Sequence, residues 1–549
     1  MSERPDLVLG AEDKITPRGH AGRGPEAGQS NPLLREMAFF ACLTEHPTVR
    51  LALFLIVFAI GLAVRVYRIE QLPIEFHPTR QFRSAIIARA MYYATGGQAP
   101  SEELGRIAVR VGDRIPRLEP PLMEAMTCGL YHAFGRVDLA FPAMLSILFW
   151  TLGGICLGCL ARSTMGSDGA LVAVGYFMLL PFGVQASRSF QPDPAMVACI
   201  TLSWWMSMRY DARPGRGRFA AVMGAAAAAI FIKPFAAFFV IPPFFALAIG
   251  RLGLPRALQN RRSLAFLAGA VAPGAFYVLW GLVSGSAVAE QAHDTFLPRQ
   301  LLELTFWSSW LQMIDTVVGL KWLIVTLLAC LAAADLLRAL LLSSLAGYVA
   351  FSLFATYHTP THDYYQLALI PIVALGAGQI ASVVTAAIAR ARPLRVGQWG
   401  LAGVFAFAMV LYLHGKYGMR PERDDGWLVA DFQKAAAWTG HSTKIAWLDD
   451  FYGYPFMYLG YVDGISWPTS LDRDAARMRG RTIPPTKEMF DAMIRTRSAD
   501  YFVVLSRPTW QAETELQRLL KGRYPMVETE GNSFIVFDLR PPAGKPTSL

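Results

Sequence analysis

The chain has 549 residues, of which 54% are hydrophobic and 17% are charged. This composition excludes an ordinary soluble enzyme and indicates a polytopic membrane protein. The formal net charge is +10, but we find no basic groove interleaved with aromatic residues, so nucleic acid is not an expected partner.

Residues 1–49 are rich in glycine, proline and charge and lack an apolar period. This composition predicts a disordered tail. An apolar core followed by a small-residue cleavage site is missing, so Leu51 is expected to begin a retained span and not a signal peptide.

Apolar segments then recur as far as about residue 414, and most are long enough to cross the roughly 30 Å of a bilayer core. They predict about eleven helical spans within a transmembrane domain at 50–415. The expected spans are 51–67, 139–161, 169–186, 194–209, 219–233, 235–250, 263–284, 316–333, 336–356, 367–388 and 397–414.

Three short basic loops set the expected orientation. Residues 209–218, 251–262 and 389–395 are rich in arginine, and the positive-inside rule assigns such loops to the cytoplasm. A cytoplasmic N-terminus follows by parity, with a long first outer loop at 68–138. Within that loop, residues 120–135 are apolar, and we interpret them as a helix lying along the outer membrane surface, because a further crossing would invert all three basic loops.

Residues 416–549 have a different texture, mixing short β-rich runs such as YFVVLS (501–506) with amphipathic helical stretches. This pattern predicts a soluble α/β domain on the outer side. No glycine-rich phosphate-binding loop of the G-x-G-x-x-G or G-x-x-x-x-G-K type occurs in the chain.

Polar side chains at the ends of the predicted spans collect on the outer side, and we expect them to converge on one cavity. They come from the first outer loop, from residues 188–194, from the turn between the fifth and sixth spans, and from residues 357–366. These residues are Glu75, His77, Arg80, Arg83, Arg188, Gln191, Asp193, Lys233, His358, His362, Asp363, Tyr364 and Tyr365.

The carboxylates of this set have two readings each. Phe76 and Pro78 lie near Glu75 and are expected to exclude water from its carboxylate, which would favour a role as general base, whereas the plainer alternative is an ion pair with Arg80. Asp193 lies between two prolines at the start of a span, where it could bind a substrate or cap the helix.

The cations also have two readings. A helix is expected to begin near Pro78, with Arg80 and Arg83 on one face, and these arginines could contact a phosphate or anchor the helix to lipid headgroups. The same anchoring alternative applies to Arg89. Lys233 could contact a phosphate or snorkel from a helix end.

Metal binding is not expected. His358 and His362 have an i, i+4 spacing, but Pro360 lies between them and argues against the helix that this spacing requires. Cys156 and Cys159 lie inside an apolar segment without a second pair, so buried thiols are the plainer reading. Tyr364 and Tyr365 could belong to an aromatic belt or stack against a sugar.

Taken in order, these motifs resemble the GT-C superfamily of membrane glycosyltransferases, and more narrowly bacterial members of glycosyltransferase family 39. The resemblance rests on HPTRQ…AR in the first outer loop, the PPL surface helix, the Arg188…Asp193-Pro motif, HDYYQLALIPI at 362–372 and the outer α/β domain.

The resemblance implies an inverting transferase of the bacterial plasma membrane. A sugar would pass from a polyprenyl-phosphate donor to a hydroxyl acceptor, in a lipid, glycan or protein, at the outer face. Glu75 and Asp193 would be the catalytic acids, and Arg80, Lys233 and Arg83 the phosphate contacts. The substrate-binding set would comprise His77, Arg188, His358, His362, Asp363, Tyr364 and Tyr365.

The chain departs from the family pattern at residues 82–84, where Phe-Arg-Ser stands in place of Asp-Thr in some relatives, so Asp193 or His77 could share the role of base. No paired-acid metal ligands are evident, which favours a monophosphate donor with no metal and no cofactor. The alternative function is a transporter or flippase, although internal repeats and midplane charges typical of that class are not detected.

Overall fold

The computed structural model describes residues 47–284, 295–391, 425–528 and 534–540. Most of the predicted tail and all of the predicted span at 397–414 lie outside these residues. The domain boundaries drawn from the sequence therefore stay predictions.

Helices dominate the chain as far as residue 391. In chain order they are α1 (Pro47–Val66), α2 (Pro78–Ala94), α3 (Glu102–Arg114), α4 (Leu122–Phe134), α5 (Ala140–Leu179), α6 (Pro181–Ala186), α7 (Asp193–Ala212), α8 (Arg216–Ile232), α9 (Ala237–Leu252), α10 (Leu254–Gln259), α11 (Arg261–Val283), α12 (Leu304–Val317), α13 (Leu320–Ala332), α14 (Asp335–Phe354) and α15 (Leu369–Ala391). Among the residues that the structure describes, three 3-10 turns accompany them, at Pro234–Ala236, Pro298–Leu302 and Asp363–Gln366.

Among the described residues, six helices are long and apolar enough to cross a membrane, or seven if the bent pair α12 and α13 forms one span. This confirms a polytopic helical membrane protein. The count of eleven spans stays a prediction, partly because some predicted spans are too short or too polar for this criterion.

The 40-residue helix α5 folds back on itself at Gly166, whose φ is 76° and ψ is −174°. Trp150, before the break, stacks on Phe177, after it, at a ring distance of 4.5 Å, and its indole nitrogen donates to the Phe177 carbonyl at 3.2 Å. The two halves correspond to the predicted spans 139–161 and 169–186.

The predicted span at 316–333 differs from the structure. Helix α12 ends at Val317, Gly319 adopts a φ of 80°, and α13 begins at Leu320 at an angle of 88° to α12. The Asp315 carboxylate accepts the Leu320 N–H at 2.9 Å, so the corner is capped. A run of apolar residues conceals such a corner, because glycine permits the positive φ without any change in hydropathy.

Helix α2 begins at Pro78, as predicted. Its apolar residues Phe82 and Ile86 are fully buried, and the helix packs against α3, α4 and the C-terminal region. Phe82 and Ile86 are therefore covered by protein and do not lie against lipid. The residue before the helix, His77, is left-handed with a φ of 47°.

The region from Gly426 is a small α/β unit, as predicted. Its sheet has the order β2-β1-β3-β5-β4, in which β1 is parallel to β2 and β3, while β5 is antiparallel to β3 and β4. The elements are α16 (Gly426–Trp438), β1 (Ile445–Leu448), α17 (Tyr454–Gly460), β2 (Gly464–Ser466), α18 (Ser470–Met478), α19 (Thr486–Arg497), β3 (Tyr501–Val504), α20 (Arg507–Ala512), α21 (Thr514–Arg523), β4 (Met526–Glu528) and β5 (Ile535–Asp538).

Helix α7 runs from one end of the helical bundle to the other and has an ion pair at each end. Asp193, at its N-terminus, contacts Lys233 at 2.8 Å. Near its C-terminus Asp211 contacts Arg251 at 3.6 Å, so the basic loops 209–218 and 251–262 meet at the far end. Asp193 and Lys233 thus lie at the opposite end of the bundle from these two basic loops.

Candidate active site

The centre of the site is a buried carboxylate held by two cations. Asp193 is 1% exposed and accepts a hydrogen bond of 2.8 Å from the Lys233 ammonium. Its other oxygen lies 3.7 Å from a guanidinium nitrogen of Arg80. Lys233 is itself buried, so the snorkelling alternative is wrong and the amine points into the protein.

Arg80 is oriented on three sides. In addition to Asp193, it donates to the Glu119 carboxylate at 3.1 Å, and its guanidinium lies 4.2 Å from the centre of the Tyr364 ring. A guanidinium stacked on an aromatic face and paired with carboxylates is held in a fixed plane. The Arg80–Glu119 pair is 17% exposed on each side, so it borders accessible space.

The two tyrosines of the predicted set lie on the 3-10 turn Asp363–Gln366 and face the cations. The Lys233 ammonium is 4.5 Å from the centre of the Tyr365 ring and 5.2 Å from that of Tyr364. Burial raises the pKa of the Tyr364 phenol to about 12. The phenol is therefore neutral near pH 7 and can donate a hydrogen bond to a substrate oxygen.

A histidine–aspartate contact joins the segment before α2 to residues 357–366. The His77 Nε2 atom lies 2.6 Å from the Asp363 carboxylate, and both side chains are about one quarter exposed, at 28% and 26%. The left-handed backbone of His77 is a strained conformation that tends to persist at functional positions.

His358 and His362 are held in their neutral form. Burial lowers the pKa of His358 to about 3, assisted by the positive charges of nearby groups. Burial and the charge of Arg80 lower the pKa of His362 to about 4. The ring of His358 stacks on the ring of Tyr365, with 4.8 Å between the ring centres. His358 therefore supports Tyr365 by packing and does not supply a positive charge to the site.

Glu75 lies in a different part of the site from the one expected if it paired with Arg80. Its carboxylate is 3.7 Å from Arg188, and both residues line a cavity of about 40 Å³ together with Gln81 and Gln185. The structure therefore brings Glu75 to Arg188, at the start of the segment 188–194 that contains Asp193.

The other arginines of α2 contact protein carbonyls. Arg83 donates through Nε to the Pro116 carbonyl at 3.0 Å, close to the residue that pairs with Arg80. Arg89 is buried and donates to the Tyr458 carbonyl at 2.5 Å. Arg89 is therefore not a lipid headgroup anchor.

Sequence reasoning missed Glu119, Gln81 and Glu124. Glu119 directly precedes the PPL helix, and this adjacency was a usable signal. Glu124 is 8% exposed on α4 and accepts a hydrogen bond of 2.6 Å from Ser84; burial raises the pKa of its carboxyl group. The sequence around Glu124 is apolar and does not indicate that Ser84 is its buried hydrogen-bond partner.

Within the described parts of the chain, no three His, Cys, Asp or Glu side chains are grouped so that they could hold a metal ion. Cys156 and Cys159 are free thiols on α5. The expectation of a reaction without metal stays a prediction.

Part of the chain, including α4 and Asp193, matches a protein-family model. Residues 119–281 match the family described as dolichyl-phosphate-mannose-protein mannosyltransferase. Comparison with curated protein sequences finds no significant match. The family match and the shared fold described next support a membrane glycosyltransferase of the GT-C superfamily, which confirms the resemblance drawn from the motifs.

Two solved proteins share the fold. ArnT from Cupriavidus metallidurans, bound to undecaprenyl phosphate, is 16% identical with a TM-score of 0.54 over 90% of this chain and 98% of that chain. Its apo form is 14% identical with a TM-score of 0.52, over 88% and 97%. The archaeal oligosaccharyltransferase AglB from Archaeoglobus fulgidus, in complex with an inhibitory peptide and a dolichol-phosphate, is 10% identical with a TM-score of 0.51, over 83% and 69%.

Proposed function

We propose that this protein is an inverting glycosyltransferase that moves a sugar from a polyprenyl-phosphate donor to a hydroxyl acceptor. The observation that carries the proposal is the convergence of Arg80 and Lys233 on Asp193 at one end of the helical bundle. Two preoriented cations in a site shielded from water suit a reaction whose leaving group is a phosphate.

The proposed reaction balances without a cofactor. The acceptor hydroxyl gives its proton to a base, for which Glu75 is the first candidate, and the acceptor oxygen bonds to the anomeric carbon of the sugar. The bond from that carbon to the phosphate oxygen breaks on the opposite face, and its electron pair remains on the polyprenyl phosphate. Attack opposite the leaving group inverts the anomeric centre.

Arg80 and Lys233 are proposed to stabilise the negative charge that develops on the departing phosphate. The guanidinium of Arg80 matches two phosphate oxygens, and its pairing with Glu119 at a partly exposed position allows an incoming phosphate to compete for it. Lys233 is more deeply buried, so we assign Asp193 the task of keeping both cations charged and oriented. Arg83 is a secondary phosphate contact in this proposal.

The sugar is proposed to lie between the first outer loop and residues 357–366. His77 and Asp363 are partly exposed and can exchange hydrogen bonds with sugar hydroxyls. Tyr364 and Tyr365 offer aromatic faces, with His358 and His362 behind them, and Arg188 completes the set beside Glu75. Aromatic faces combined with neutral hydrogen-bonding groups suit a saccharide.

A polyprenyl phosphate is the proposed carrier because solved proteins of this fold bind such lipids: undecaprenyl phosphate in ArnT and a dolichol-phosphate in AglB. We propose that the site faces the outer side of a bacterial plasma membrane, with the N-terminus in the cytoplasm. The basic loops at the opposite end of the bundle support this orientation.

The test is donor consumption by the purified protein, measured with a panel of radiolabelled polyprenyl-phosphate sugars. We expect wild-type protein to consume at least one donor. Glu75→Gln is expected to reduce turnover by about a hundredfold or more, the range for losing a general base. Glu102→Gln, an exposed acid on α3, is the matched control and should retain wild-type turnover.

Two outcomes would contradict parts of the proposal. No donor consumption by wild-type protein, in the presence of a mixed acceptor extract, would count against glycosyl transfer. Equal consumption by wild type and Glu75→Gln would leave the reaction standing but remove Glu75 as its base, and His77→Gln and Asp193→Asn would then be compared.

A further inference from the structure

Gln81 connects the segment that carries Glu75, the proposed base, to the segment that leads to Asp193. It lies in the first turn of α2 and is 4% exposed. Its side-chain NH2 group donates to the carbonyl of Phe76 and to the carbonyl of Pro73 at 3.3 Å. Its side-chain oxygen accepts the backbone N–H of Phe190 at 3.0 Å.

These three bonds suit a primary amide of this length. A carboxamide offers two donors and an acceptor in one plane, and here the donors reach one segment while the acceptor reaches another, 109 residues further along the chain. A carboxylate in the same place would direct lone pairs at two carbonyl oxygens, and a methionine would fill the volume without any of the bonds.

The backbone groups bonded to Gln81 lie close in sequence to Glu75 and to Asp193. The Pro73 and Phe76 carbonyls lie on either side of Glu75, and Phe190 lies between Arg188, the partner of Glu75, and Asp193. Gln81 also lines the cavity shared by Glu75 and Arg188. Gln81 therefore joins the backbones of the two segments by hydrogen bonds, in addition to the side-chain contact between Glu75 and Arg188.

We infer that Gln81 is a positioning residue that holds the Glu75 segment and the Asp193 segment in register for transfer. This inference rests on the proposed function. Gln81 acts through the backbone of both loops, so its loss should lower the rate of transfer more than it weakens donor binding, because Arg80 and Lys233 keep their own contacts. A displacement of about 1 Å at a reacting group can cost roughly a hundredfold in rate.

Two readouts test the inference on Gln81→Met in the full-length protein. The first is kcat and KM for the donor, with an expected fall in kcat of about tenfold to a hundredfold and a KM within about threefold of wild type. The second is hydrogen exchange of the backbone amides in residues 70–77 and 187–193, which should become faster in both segments together. This second readout needs no donor.

Gln379→Met is the matched control. Gln379 is also a buried glutamine, 7% exposed, and its amide donates to the Ala332 carbonyl at 3.1 Å, between two helices of the bundle. We expect this control to lose a buried hydrogen bond without a change in kcat or in exchange at 70–77 and 187–193.

The outcomes separate the inference from the proposed function. Unchanged exchange in both segments, or an equal fall of kcat in Gln81→Met and Gln379→Met, overturns the positioning role. If wild-type protein consumes no donor, the proposed function fails, whereas the exchange comparison still decides whether Gln81 holds the two segments together.

Discussion

The contact between Lys233 and Asp193 is a charged pair removed from water on both sides, with side-chain exposures of 3% and 1%. Desolvation makes such a pair expensive, and replacing it by apolar residues often stabilises a protein. Its presence in a packed membrane protein therefore points to a function for the charges and not to a contribution to stability.

Removing only the carboxylate of Asp193 should separate the functional role of the charged pair from its contribution to stability. Asp193→Asn leaves the ammonium of Lys233 buried without its counter-charge, and we expect a loss of about 3–5 kcal/mol of folding free energy, measured by equilibrium unfolding in mild detergent. The double variant Asp193→Asn/Lys233→Met should regain most of that stability and remain inactive.

The control for this pair is Asp335→Asn, since Asp335 pairs with Arg338 at 3.4 Å and is fully exposed. An exposed pair contributes about 0–1 kcal/mol, so little change is expected. A double variant that is as unstable as Asp193→Asn, or one that keeps donor turnover, would contradict the assignment of the pair to the reaction.

His358 should make folding stability depend on pH. Its folded pKa is about 3 because of burial, with His362, Lys233, Arg479 and Arg80 adding to the effect. An unfolded histidine titrates near 6.5. Between these values the unfolded chain binds a proton at His358 that the folded protein does not bind. The contribution of His358 to the free energy of unfolding is therefore fully present above about pH 6.5 and declines as the pH falls towards 3.

The expected size of this effect is about 2 kcal/mol between pH 7.5 and pH 5. His358→Phe retains an aromatic ring against Tyr365 and should reduce the pH dependence of the unfolding free energy by that amount. His132→Phe, at an exposed histidine, should leave it unchanged. An identical pH profile in wild type and His358→Phe would exclude a neutral buried histidine at this position.

At the scale of elements, the fold-back of α5 sets the position of α7 and its Asp193. The chain reverses at Gly166, whose backbone lies in a region that is essentially restricted to glycine. A Cβ atom at Gly166 would meet nothing within 4 Å, so the cost of a substitution there is conformational and not steric.

Gly166→Ala should therefore destabilise the protein by about 1–3 kcal/mol, measured as a shift in the unfolding midpoint. Gly224→Ala is the matched control, because Gly224 lies within helix α8 and a methyl group added there would also meet open space. Alanine in a helix should be neutral or slightly stabilising there. Equal effects of the two substitutions would show that the reversal imposes no strain.

Helix α2 shows how an element can be anticipated while its surroundings are not. Its start at Pro78 and its two arginines, Arg80 and Arg83, were read from the sequence. Its burial beneath the α/β unit was not, since an apolar helical face packs equally well against lipid and against protein.

At the scale of the whole molecule, the α/β unit is docked onto α2 by Arg89. The guanidinium lies between the rings of Tyr458 and Tyr461, at 4.2 and 4.1 Å from their centres, and donates to the Tyr458 carbonyl. A second contact joins Arg479 to the hydroxyl of Tyr357 at 2.6 Å. The unit thus contacts α2 and residues 357–366, both of which flank the site.

Arg89→Met should weaken this docking by about 1.5–3 kcal/mol, the range for a hydrogen bond to a charged group. The measurement is the unfolding free energy, together with hydrogen exchange in α17, which carries Tyr458. Arg106→Met, at an arginine 71% exposed on α3, is the control. Unchanged exchange in α17 would show that Arg89 does not hold the unit in place.

Much of this protein was determined by the sequence alone. Hydropathy requires apolar helices in a bilayer, because an unpaired backbone in hydrocarbon is too costly, and short β-rich runs such as 501–506 predict an α/β unit. The same local signals indicated Arg80, Asp193 and Lys233, since charges at span ends are rare and tend to have functions.

Only the tertiary structure decided which of these charges meet. Glu75 pairs with Arg188 and not with Arg80, Arg80 finds Glu119, and Gln81 joins segments 109 residues apart. The local sequence does not indicate these partners, because each pair consists of residues far apart in the chain that meet only when the protein folds. Hydropathy and charge are properties of each residue and its neighbours in the chain, so the sequence alone predicts what depends on them. The pairing of side chains depends on packing between distant segments, so only the tertiary structure shows it.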